Sequence, residues 1–162
     1  MASFQTRTDV ATRPGLAFAH IIDLDAWPTF RGFGPVPGIV EAKLVNGTTV
    51  GPGSRIRVTN TDGSVHHEVM RAFEVGRHIT IQMELTPPAS YVMAGIEERV
   101  DVEAHGEGAR ITRTFVVRPR WFFTAPIAWL IAHGFLHRAV VRHNAAVRDA
   151  LTAAPGAERR WS

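Results

Sequence analysis

Hydrophobic and polar residues alternate with a period of two along most of the chain up to Pro119, and a helical period takes over after it. Ser3 to Val10 sets the pattern. Phe4, Thr6, Thr8 and Val10 fall on one side, and Gln5, Arg7 and Asp9 on the other, which predicts an amphipathic strand. At Thr12-Arg13-Pro14 the period changes. Proline suits a first helical position, and Leu16, Phe18, Ile21 and Ile22 predict a short helix. Asp23 to Phe30 predicts a second short helical or turn segment, cut by Pro28.

Strands are then expected at Ile39–Val45, Arg55–Thr61, Val65–Val75, Ile79–Leu85, Met93–Ala104 and Arg110–Arg118. The Gly/Pro stretch 32–38 precedes them, and Asn46-Gly47, Asp62-Gly63, Gly76 and the 105–108 turn punctuate them. Successive hairpins imply an antiparallel sheet. Thr124 to Ala153 predicts one long helix, with Thr124 as a cap and Pro126 in the first turn. Ile127, Leu130, Ile131, Gly134, Phe135, Val141 and Ala145 form its expected sheet-facing side. Strands followed by a long helix give an α+β class, with helices on one face of a curved sheet. Residues 1–154 are expected to form one domain, with 155–162 as a flexible C-terminal tail.

Composition narrows the function. With 45% hydrophobic residues a folded globular chain is expected, and the absence of cysteine removes disulfides and thiolate chemistry. The start lacks a signal-peptide pattern, so a cytoplasmic protein is expected. Net charge is +3, and Lys43 is the only lysine. The charges are spread along the chain rather than interleaved with aromatics, which argues against nucleic-acid binding. Charged and imidazole side chains interrupt the apolar run that begins at Trp121 before it is long enough to span a bilayer. Membrane contact is therefore peripheral at most, through Trp121, Phe122 and Phe123.

At this point the chain resembles the START-like helix-grip superfamily, in particular its polyketide cyclase/dehydrase and lipid-transport branch of small bacterial proteins. The residues that carry the resemblance are the first strand running into Thr12-Arg13-Pro14, Asp23–Pro28 (DLDAWP), the repeated hairpins and the apolar C-terminal helix. The resemblance implies a seven-stranded antiparallel sheet gripping the long helix, two short helices after the first strand, and a deep cavity for an apolar ligand. It also implies that DLDAWP is a fold marker, with Trp27 capping the core. It implies no catalytic set, since the superfamily contains carriers as well as cyclases.

Taking the apolar phase of each strand as inward places His67, Arg71, Glu98 and Arg113 on the face that meets the helix. Glu98 and Arg113 lie on neighbouring strands and are expected to pair, because a buried charge is costly alone. Glu98 and His67 are the candidate acid/base groups. The candidate polar anchors are His67, Arg71, Glu98, Arg113 and Arg138. The candidate apolar wall is Trp27, Phe30, Phe33, Phe73, Met83, Phe115, Leu130 and Phe135, with Ile131 beside it. His133 and His137 have helical ligand spacing but no glutamate of an HExxH pattern between them, so no metal is expected. No cofactor is implied either. The expected function is binding of a small hydrophobic molecule by a monomer or homodimer, as carrier or sensor. The alternative is a cyclase or dehydratase acting in the same cavity.

Overall fold

The computed structural model describes residues 1–153. Its elements follow the hydropathy pattern closely. Strand β1 (Ala2–Val10) leads into helix α1 (Pro14–Ile22) and a 3-10 segment at Leu24–Thr29. Strands β2 (Ile39–Leu44), β3 (Arg55–Asn60), β4 (Val65–Glu74) and β5 (His78–Glu84) follow. After the short helix α2 (Ala89–Val92) come β6 (Met93–His105) and β7 (Gly108–Pro119). Helices α3 (Ala125–Leu130) and α4 (His137–Ala153) run on through a π-helical stretch, Ile131–Leu136, as one long helix.

The strands form one antiparallel sheet of seven, in the order β1-β7-β6-β5-β4-β3-β2. Chain-adjacent strands pair throughout, because short turns leave no other neighbour within reach. The exception is β1, which closes against β7 and so becomes the far edge of the sheet. The long helix lies across this end and packs on β1 and β7. A sheet wrapped around its last helix is the helix-grip arrangement that the family resemblance implies.

The interior is built as two apolar clusters. One gathers Phe18, Ile56, Val58, Met70, Ile79 and Ile111 near α1. The other gathers Phe115, Val117, Ala132, Leu136 and Val140 under the long helix.

The face of the long helix that meets the sheet differs from the expected one. Ala128, Ala132, Leu136, Val140 and Asn144 are buried, while Ile127, Leu130 and Val141 are exposed. That buried stripe repeats every four residues. In an α-helix such a repeat drifts about 40° per step, because each residue turns about 100°. The π-helical stretch holds more residues per turn and offsets the drift. Thr124 also departs from its expected role. Its hydroxyl accepts from the Trp121 N–H at 3.1 Å and donates to the Trp121 carbonyl at 2.8 Å, closing the turn before the helix rather than capping it. The 155–162 tail lies outside the described residues.

Candidate functional site

Between the two apolar clusters lies a cavity of about 440 Å³. Its floor comes from inward side chains of the sheet, including Ile81, Met83, Ile96, Val100 and Phe115. Its sides come from Trp27 and Phe30 after α1, and its roof from Ile131, Leu136 and Val147 of the long helix. Trp27 is held in place by its indole N–H, which donates to the Ile21 carbonyl at 3.0 Å.

Besides Thr8, His20 and Thr86, polar groups enter this wall in two arrays. The first joins the sheet to the helix. Glu98 on β6 and Arg113 on β7 both point inward, as strand alternation requires, and Arg113 Nε donates to Glu98 Oε1 at 2.6 Å. The same guanidinium donates through Nη1 to His143 Nδ1 at 2.8 Å and to Asn144 Oδ1 at 3.2 Å. Asn144 in turn donates to Thr6 Oγ1 of β1 at 3.0 Å. Because His143 Nδ1 accepts, its proton sits on Nε2, which faces Thr29 Oγ1 at 3.0 Å. The Thr29 hydroxyl donates its own hydrogen bond to the Ala26 carbonyl at 2.7 Å.

Electrostatics follow from this burial. Desolvation pushes the Glu98 carboxyl above the usual carboxylate range, Arg113 opposes that, and the Glu68 carboxylate adds to it. His143 is pushed down to about 3, first by burial, then by the Arg113 and His20 charges, so its imidazole is neutral.

The second array lies on the β3–β4 hairpin, where strand alternation places Asn60 inward but not His66 or Glu68. Asn60 Nδ2 lies 3.1 Å from His66 Nδ1, and His66 Nε2 lies 3.1 Å from Glu68 Oε1. Asn60 Nδ2 also donates to Ser64 Oγ at 2.9 Å, and Ser64 donates to Asp62 Oδ1 at 2.6 Å. With Asn60 as donor, His66 accepts at Nδ1 and donates at Nε2 to Glu68. Asn60, His66 and Glu68 all line the cavity, and Glu68 is only 3% exposed.

Sequence alternation had put His67 and Arg71 in these places. Both lie on the other face of the sheet, and Arg71 is exposed. The cause is a β-bulge. Met70 pairs with Ile81, Ala72 pairs with Thr80, and Arg71 is the extra residue between them. Phase counted back from Phe73 therefore inverts at Arg71, and every side chain before it changes face. His66, Glu68 and Met70 share a phase in the sequence, but Val65 and Val69 make the opposite phase look more apolar.

Met83, Glu98, Arg113, Phe115 and Ile131 do line the cavity. Leu130 does not, being 52% exposed on the outer side of the helix. Phe135 and Arg138 pack against the Gly/Pro loop instead. The Phe135 ring lies 6.3 Å from that of Phe33, and the Arg138 guanidinium sits 5.7 Å over the Phe33 ring. Phe33 is thereby drawn outside the cavity, while Phe73 meets Phe18 in the first cluster at 5.7 Å. His133 and His137 flank the Phe4 ring edge-on. No group of three or more potential metal ligands exists among the described residues.

The same architecture recurs in solved structures. Ara h 8.0201 shares 15% identity over 92% of this chain and 96% of its own, with a TM-score of 0.70. A START superfamily protein from Mycobacterium smegmatis gives 0.70 at 13% identity, over 94% of this chain and 100% of its own. The di-domain ARO/CYC BexL from the BE-7585A biosynthetic pathway gives 0.63 at 18% identity, over 94% of this chain and 46% of its own. At such identities the likeness is one of fold. No curated protein matches the sequence. The family model described as polyketide cyclase / dehydrase and lipid transport matches residues 1–153, and the chain belongs to that family.

Proposed function

We propose that this protein is a carrier or sensor that holds a small, mainly apolar molecule between the sheet and the long helix. The observation that carries this reading is the apolar cavity of about 440 Å³ with its two inward polar arrays. Its volume lies in the range of about 300–1,000 Å³ typical of small-molecule sites.

The polar groups narrow the ligand. Arg113 is the only guanidinium among the described lining residues, and it is engaged by Glu98, His143 and Asn144. Three acidic side chains, Asp62, Glu68 and Glu98, line the same space. A carboxylate ligand would meet like charge, with His20 the one basic side chain outside the two arrays among the described lining residues, whereas hydroxyl groups would find acceptors. A neutral hydroxylated aromatic or polyketide-like molecule fits this balance better than a fatty acid.

A cyclase or dehydratase is the second reading, favoured by the His66–Glu68 pair in the cavity wall. Carriage is preferred because both ring nitrogens of His66 and of His143 already have partners. An imidazole so engaged must give up a partner before it can take a substrate proton.

Native mass spectrometry of freshly purified protein tests the reading, with extraction of any retained compound. A panel of hydroxylated aromatics and fatty acids is then scored by thermal shift against wild type and Met83→Trp, which fills the floor. Stabilisation by hydroxylated aromatics that disappears in Met83→Trp is expected. A clean apo mass with no shift from any compound defeats the reading, and a retained product chemically altered from an added precursor moves it to the enzyme.

A further inference from the structure

Residues 121–132 contain no charged side chain, and their one hydroxyl, on Thr124, is buried in its own turn. Helix α3 is consequently apolar all round. Its inner side, Ala128 with the following Ala132, is buried against the sheet side of the molecule. Its outer side is not covered by any of the described residues. Trp121, Phe122, Phe123, Ile127, Trp129 and Leu130 are exposed by 54, 90, 63, 48, 58 and 52%. The three leading aromatics also pack on one another, with Trp121 and Phe123 stacked at 6.3 Å and Phe122 edge-on to Phe123 at 5.5 Å. A helix with apolar residues on every side needs a covering on every side, and a contiguous patch of this kind marks an interaction surface.

The charge around the patch selects the occupant. Between Gly108 and Arg148 there is no aspartate or glutamate, and the exposed arginines of this segment are Arg118, Arg120, Arg138 and Arg142. Arg118 and Arg120 stand immediately before the aromatics; Arg118 pairs with Glu97 of β6 at 3.2 Å, and Arg120 lies 5.9 Å over the Trp121 ring. A second copy of this chain, docked by a twofold axis through the patch, would bring arginine against arginine with no acid from this segment to answer it. An anionic bilayer meets both features at once. Its headgroups pair with the arginines, and tryptophan and phenylalanine suit the boundary between headgroups and acyl chains. No helix among the described residues is long and apolar enough to cross the bilayer, so the contact is superficial.

We infer that the Trp121–Leu130 surface is a docking site for an anionic phospholipid bilayer. The docked segment continues directly into the stretch that roofs the cavity, through Ile131 and Leu136. Docking therefore sets the cavity roof beside the membrane. The inference stands on the outer surface and does not depend on what the cavity holds.

Co-sedimentation with vesicles of phosphatidylglycerol and phosphatidylcholine in equal parts, against pure phosphatidylcholine, tests it. Wild type binds the anionic vesicles. The exposed triple variant Trp121→Ser/Phe122→Ser/Phe123→Ser loses roughly tenfold or more in partitioning, since three buried aromatics supply most of the apolar area. Arg120→Glu alone, which leaves the aromatics in place, weakens binding to anionic vesicles and to no others. Circular dichroism confirms that both variants stay folded. Failure of wild type to bind anionic vesicles overturns the inference, as does unchanged binding by the triple variant. A dimer detected by light scattering, dissociated by the triple variant in the absence of lipid, also overturns it and gives the surface to a second copy.

Discussion

Replacing Arg113 by methionine removes the one cation that faces Glu98 and keeps most of the side-chain volume. Glu98 is 5% exposed, and its 2.6 Å partner disappears. His143 Nδ1 and Asn144 Oδ1 lose a donor at the same time. Breaking a buried pair from one side costs about 3–5 kcal/mol. Some of that is relieved where cavity water reaches the carboxylate, so we expect Arg113→Met to lose about 4 kcal/mol. For a chain of this size that corresponds to a fall of about 8–16 °C in Tm.

The double variant Glu98→Gln/Arg113→Met leaves no uncompensated charge and should recover at least about half of the loss. The single variant also acquires a signature in pH. Without Arg113 the Glu98 carboxyl is pushed still further above its unfolded value, so the folded state holds a proton that the unfolded state has released. Its stability then rises as pH falls toward the unfolded carboxylate pKa of about 4.3, and the gap to the double variant narrows. Urea unfolding of all three proteins at about pH 7.5 and about pH 5.5 reads this directly. A cost under about 1 kcal/mol for Arg113→Met, with no pH dependence, would refute the account. It would mean that Glu98 is solvated and that the bridge from sheet to helix carries little.

Other consequences are simpler to state. His143 is neutral in the folded chain down to about 3 but protonates near about 6.5 once unfolded, so the unfolded state binds the extra proton. Stability is therefore lost as pH falls through that window, by about 2 kcal/mol between about pH 6.5 and about pH 5, and urea titrations of His143→Gln should lose this acid sensitivity. The β4 bulge predicts a split within one strand. Ligand-induced thermal shifts should survive His67→Ala and Arg71→Ala but shrink in His66→Ala and Glu68→Gln, and the reverse pattern would restore the unbulged register. Gly34 has φ +59°, and a Cβ there would stand 2.6 Å from Phe135 Cδ1. Gly34→Val should accordingly lose about 2 kcal/mol or more in chemical denaturation, because both backbone and ring must shift.

The α+β class, the strands and the short helix after β1 follow from local pattern, and so does the inward placement of Glu98 and Arg113. Each depends only on the period of apolar residues and on turn chemistry at sites such as Asn46-Gly47 and Asp62-Gly63. Strands β6 and β7 pair without a shift from the Ile96–Val117 pair to the His105–Gly108 pair, so counting by twos keeps its meaning there. Two decisions belonged to the tertiary structure. The bulge at Arg71 serves the curvature of the sheet, and nothing local in the 65–75 stretch marks it, yet it moves His66 and Glu68 inward and His67 outward. Along the last helix, bulky residues outweigh alanines in any hydropathy reading, so Leu130 and Phe135 draw attention from Ala128 and Ala132. Close approach of a helix to a sheet rewards small side chains on the facing side. Only the packed sheet, together with a π-helical stretch that keeps a four-residue stripe aligned, decides which side that is.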